Sequence, residues 1–130
     1  MTDIEDTDWL FRRLHADCFK KNGTLTSATF KLNGFPENDI SVDLARLTSP
    51  SESVNRAGKP GFRLGRLQAM GPRQLGFNVV HDPQRFPDAP ELNNESHSRI
   101  TGDNTGERCR ELAKLVTVMV GIQSDDVRTS

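Results

Sequence analysis

The chain has 130 residues and a formal net charge of −1, with 34% hydrophobic and 27% charged residues. That length fits one domain of ~100–200 residues, and the low apolar share fits a modest core beneath a large polar surface. No run approaches the ~20 apolar residues that cross a bilayer. The two cysteines, with no apolar leader, argue against a disulfide framework and for a reducing, cytoplasmic compartment.

Residues 1–8 form an acidic head, with Asp3, Glu5, Asp6 and Asp8 and no basic residue. Such an end is expected to fray; a competing role is an acidic tether over a basic surface. Residues 9–15 (WLFRRLH) read either as a strand or as the start of a helix reaching Phe19. In the strand, Leu10, Arg12 and Leu14 share one face and Phe11, Arg13 and His15 the other. In the helix, Leu10, Leu14 and Cys18 form a stripe, and Lys20-Lys21-Asn22-Gly23 makes a good stop, which favours the helix.

Residues 24–33 (TLTSATFKLN) alternate and are rich in β-branched side chains, so a strand ending at the Asn33-Gly34 turn is predicted. Residues 39–47 (DISVDLARL) predict a neighbouring strand with Ile40, Val42 and Leu44 inward and the polar side chains outward. Residues 48–61 are a Ser-, Pro- and Gly-rich loop in which Ser49-Pro50 suits a short helix start. Leu64, Leu67 and Met70 recur at helical spacing, so residues 62–70 predict a helix, weakened by Gly65 and ended by Gly71-Pro72.

Residues 75–102 carry two of the three histidines. Residues 74–81 (QLGFNVVH) predict a strand stopped by Asp82-Pro83. A loop over 84–95 and a strand over 96–101 follow, with His97 and Arg99 on one face. The two strands are expected at the centre of the sheet. Residues 103–121 predict the best helix: Asn104 or Thr105 caps it, and Cys109, Leu112, Ala113, Val116, Met119 and Val120 form its apolar face. The fold class is therefore α+β, a small and mainly antiparallel sheet of about four strands with a C-terminal amphipathic helix packed on one face. The single domain spans 9–122, between the flexible head and a flexible tail over 123–130.

Charge supplies the first chemical signal. Between Glu52 and Asp82 the chain has no carboxylate but carries Arg56, Lys59, Arg63, Arg66 and Arg73, interleaved with glycines. Such a basic Gly-rich segment suits a phosphate-bearing partner such as nucleic acid, because backbone amides and cations approach the anion together. It is not a phosphate-binding P-loop, since Pro60 follows Gly58-Lys59 where Ser or Thr is required. Paired with distant carboxylates, the same residues would merely solvate a loop.

The histidines supply the second signal. His97, with His81 and with Arg12, Arg13 or Arg99, suits acid–base work on a phosphodiester. A structural role through ring hydrogen bonds is the plainer reading of each. No His or Cys spacing supports a metal site, and no cofactor is implied. The seven Phe are read as core rather than as a stacking platform, and Cys18 and Cys109 as buried and inert. Two functions are expected in turn. The first is an accessory module that binds a macromolecular partner through the basic segment. The second is a small phosphate-directed enzyme of ribonuclease or nucleotidyl- or ADP-ribosyl-transferase type. No membrane partner is expected. The apolar face of the C-terminal helix is read as core, with a homodimer or partner interface through it as the alternative.

Overall fold

The structure, a computed structural model, describes residues 2–32 and 34–125. Its centre is β1 (Trp9–Leu14), flanked by β4 (Asp39–Leu44) and β5 (Arg63–Gln68). Outward from β4 lie β7 (His97–Thr101) and β6 (Asn78–His81); outward from β5 lies β8 (Thr117–Gln123). Every pairing in this six-stranded sheet is antiparallel. A separate two-stranded ribbon joins β2 (Lys31–Leu32) to β3 (Phe35–Pro36). Among the described residues three α-helices complete the fold: α1 (Pro50–Asn55), α2 (Met70–Gln74) and α3 (Gly106–Leu115). The α+β class stands, with six strands in place of about four and with β1 and β4, not β6 and β7, at the centre.

Both sheet faces are covered. On one, Leu10, Ile40, Val42, Leu44, Leu67, Val79 and Ile100 pack with Cys109, Leu112 and Ala113 of α3. Phe30, fully buried, joins them from a 3-10 turn over Ser27–Phe30. On the other, Phe11 and Leu64 pack with Val54 of α1.

Four expected elements change, each for a physical reason. Within residues 9–15, Trp9–Leu14 form a strand, because β5 pairs with all six positions of β1; a 3-10 turn over Ala16–Cys18 follows. Residues 62–70 hold strand β5, not a helix. Gly65 there meets Val116 so closely that an added Cβ would lie 2.4 Å from its Cγ1. Gly71-Pro72 does not end a helix but sits in the first turn of α2, where proline's missing N–H costs nothing. The C-terminal helix stops at Leu115, and Val116 is already extended. Val116, Val118, Val120 and Ile122 also alternate, and their β-branched or apolar side chains favour β8 once β5 offers an edge. The apolar face offered for core or for an interface is therefore helical only as far as Leu115. Residues 24–33 supply the 3-10 turn rather than a strand beside β4, with Thr26 accepting a hydrogen bond from the Ala28 N–H. Gly34 has φ +82° at the ribbon tip; Asn33 lies outside the described residues.

The acidic head is docked. Ile4 is 7% exposed within the core, Asp6 pairs with Arg73 at 2.7 Å, and Asp8 pairs with Arg46 at 2.9 Å. Of the expected tail, Ser124 is buried and its hydroxyl accepts from the Phe62 N–H at 2.7 Å; residues 126–130 lie outside the described residues.

Candidate functional site

The polar centre of the molecule is Asp43 on β4. Alternation predicts its side chain on the face opposite Val42, and that face lies under α1, so the carboxylate is fully buried. A charge in that position is costly unless fully paired. Four donors meet it. Oδ2 accepts from Ser53 Oγ at 2.6 Å, Arg13 Nη1 at 3.0 Å and Arg56 Nη1 at 3.2 Å; Oδ1 accepts from Asn94 Nδ2 at 2.8 Å. Burial pushes this carboxyl up, but the Ser53 bond, the Arg13 charge, the Asn94 bond and the Arg56 charge outweigh it and hold it below the ordinary carboxylate range.

Local structure explains why the donors arrive together. Ser49 caps α1 by accepting from the Glu52 N–H at 3.2 Å, and Pro50 opens the helix, so Ser53 comes from its next turn and Arg56 from its C-cap. Arg13 projects from β1 on the same face as Phe11, which stands opposite Asp43 in the ladder. Asn94 closes the 84–95 loop through its backbone pairing with Gln84, and its Oδ1 accepts from the Ser96 N–H and hydroxyl.

Above this cluster opens a cleft of about 610 Å³ between α1 and the 84–95 loop, lined by Arg13, Arg56, Asn55, Glu52, Phe86 and Asn94 among others. Its arginine side chains are 25% and 27% exposed. Each is anchored inward through Nη1: Arg13 also donates to the Ser53 carbonyl at 3.1 Å, and Arg56 to Thr48 Oγ1 at 3.0 Å. Among the described residues, Nε and Nη2 of Arg13 and Nε of Arg56 make no hydrogen bond; Arg56 Nη2 stands 3.8 Å from Glu52. Two guanidiniums are thus fixed in place with donors to spare.

The expected histidine site does not assemble. His81 pairs with Ser98 across β6 and β7, so it lies on the opposite sheet face from His97. Both rings are engaged. His81 Nδ1 accepts from the Thr2 N–H at 2.9 Å and its Nε2 lies 2.6 Å from the Glu95 carbonyl. His97 Nδ1 lies 2.7 Å from the Asp82 carbonyl and its Nε2 3.2 Å from Ser41 Oγ. His97 is the ladder partner of Asp43 but does not line the cleft.

The basic segment scatters as well. Arg63 and Arg66 stand opposite Leu14 and Phe11 in β1, on opposite faces of the sheet. Arg63 lies over the Phe19 ring and Arg66 over Trp9, 5.4 and 4.4 Å from the ring centroids. Arg73 clamps the head, donating to Asp6 and to the Ile4 and Val79 carbonyls. Lys59 is exposed in the loop after α1. Arg12 is structural, held by Glu37 and by the Thr29 and Ser41 carbonyls. Arg99 pairs with Asp39 and Asp82, each at 3.1 Å. Of the expected ligand-binding residues, only Arg13 and Arg56 meet in one cleft.

Asp43 escaped sequence reasoning because alternation treats a strand's second face as solvent, and Ser53 and Asn94 because their short helix and loop give no local sign of a buried partner. The available signal was in WLFRRL, whose apolar residues Trp9, Leu10, Phe11 and Leu14 occupy both faces. Among the described residues no group of three His, Cys, Asp or Glu is placed to hold a metal ion, and no helix is long and apolar enough to cross a membrane. Burial pushes the Cys18 and Cys109 thiols up, which leaves them poor nucleophiles. No protein-family profile, curated protein or solved structure matches the chain.

Proposed function

We propose that this chain is a binding module that takes a single anionic group of a macromolecular partner, a phosphate or carboxylate, into the cleft between α1 and the 84–95 loop. The observation that carries the reading is the anchoring of Arg13 and Arg56 to one buried carboxylate, with their remaining N–H donors left for a ligand. Guanidinium forks match planar or tetrahedral oxyanions, and holding them in place beforehand removes most of the ordering cost of binding. Phe86, 41% exposed on the rim, offers an apolar contact beside the anion.

A single group fits better than a long polyanion track. Glu52 and Glu91 stand on the same rim, and Arg63, Arg66 and Arg73 are turned elsewhere. The phosphate-directed enzyme gains no support from the geometry, because the rings of His81 and His97 lie on opposite faces with both nitrogens of each engaged.

The test is an NMR titration of the arginine Nε–H resonances with inorganic phosphate, acetate and a 5′-phosphorylated oligonucleotide. Arg13 and Arg56 should shift with at least one of the three. Arg13→Lys should weaken that binding roughly 10- to 100-fold, the loss of one charge-assisted bond of ~1.5–3 kcal/mol. Unmoved arginine signals with all three ligands would refute the cleft as an anion site.

A further inference from the structure

A second cleft lies on the α3 side of the sheet, away from Asp43. Residues 20–27 form one wall, and the end of α3 with the start of β8 forms the other; its volume is about 570 Å³. That falls within the ~300–1,000 Å³ of small-molecule sites. Leu25, Ala113, Val116 and Val118 supply its apolar surface, and Lys20, Arg110 and Lys114 its charged groups. No carboxylate belongs to the lining. The Lys114 ammonium is taken by Glu111 at 3.0 Å. Lys20 and Arg110 have no ion-pair partner among the described residues.

The segregation has a local cause. The α3 stripe of Cys109, Leu112 and Ala113 faces the core, and Arg110 and Lys114 follow one turn apart beside it. The extended residues Val116 and Val118 then carry apolar side chains out from under the helix. The 3-10 turn is fixed by buried Phe30 and Thr29, which holds Leu25 and Thr26 across the gap. The result is a walled apolar surface with unpaired positive charge at its edge.

We infer that this cleft binds a small amphiphilic anion, an apolar chain bearing one carboxylate or similar head. The chain removes Leu25, Val116 and Val118 from water, and the head meets Lys20 and Arg110. The apolar part supplies affinity and the charges supply sign selection.

The probe is decanoate, kept below its micelle concentration, followed by calorimetry and by amide shifts in the full chain. Decyltrimethylammonium, with the same tail and the opposite charge, is the control. Decanoate should bind and shift the amides of Leu25, Ala113 and Val116, and the cationic amphiphile should bind at least tenfold more weakly. Lys20→Glu with Arg110→Glu, two surface changes checked by circular dichroism, should reverse that order. Equal binding of the two amphiphiles overturns the inference, as do shifts confined to other residues and decanoate binding unchanged in the double variant. Because Lys20 and Arg110 lie away from Arg13 and Arg56, failure here leaves the anion reading of the first cleft standing, and the converse holds.

Discussion

At the scale of the residue, Asp43 decides most. A carboxylate with no exposure survives only because two cations and two neutral donors replace its water. Such a cluster is weak evidence of net stability, since desolvation offsets much of the attraction, but removing one partner is strongly destabilising. Asp43→Asn keeps the shape while stripping Arg13 and Arg56 of their shared counter-charge. It should cost about 3–5 kcal/mol in urea unfolding at neutral pH. A loss within the ordinary surface range, about 0.5 kcal/mol, would show that the arginines find other partners and that the cluster does not preorganise the cleft. The alternation of DISVDL placed Ile40, Val42 and Leu44 correctly on the core side. It misplaced Asp43 in water because nothing local reports that α1 will cover the other face.

At the scale of the element, the informative junction is Gly65 against Val116. Here β5 passes so close to the end of α3 that a methyl group would stand 2.4 Å from Val116 and 3.1 Å from Leu14. Gly65→Ala should therefore cost about 1–3 kcal/mol through overpacking, read as a lowered urea midpoint with an unchanged slope. A stabilised or neutral variant would mean that Val116 turns aside freely. The same glycine argued against a helix in the sequence, rightly, yet its reason for being there is a contact with a residue 51 positions later. The segment after Leu115 shows the complementary failure. Val116, Met119 and Val120 fit a helix period, Val116, Val118, Val120 and Ile122 fit a strand, and spacing alone does not choose between them. The free edge of β5 chooses.

At the scale of the molecule, the acidic head and the buried cluster bind distant parts of the chain through charge. Burial pushes the Asp8 carboxyl up, but the Arg46 bond, the Glu5 backbone N–H and the charges of Arg46 and Arg73 bring it down overall. Asp43 is lowered as well. A carboxyl whose folded pKa lies below its unfolded value contributes stability that is present above the unfolded value and lost as pH falls through the folded one. With unfolded Asp near ~3.9, thermal stability should hold from neutral pH down to that region and fall below it. The fall should be shallower in Asp43→Asn than in the parent chain. Identical acid profiles would remove Asp43 as a contributor.

The sequence by itself determined the local features. The Ser49-Pro50 helix start, the core side of residues 39–44, the strand at His97 and a cap at Asn104 or Thr105, which the structure settles as Thr105, all depend on neighbours a few residues away. The apolar residues on both faces of WLFRRL are compatible with a strand buried on two sides, but the stop at residues 20–23 points to a helix. Tertiary structure decided the rest. Whether residues 9–15, 62–70 and 116–122 became strands depended on partners that offered hydrogen-bonding edges. The dispersal of the basic segment followed, since a strand reverses its side chains at every residue and sent Arg63 and Arg66 to opposite faces. Arg13 and Arg56, 43 positions apart, meet only because β1, β4 and α1 bring them to one carboxylate. Charge along a chain is a local property; the field a partner meets is set by where the fold turns each charge.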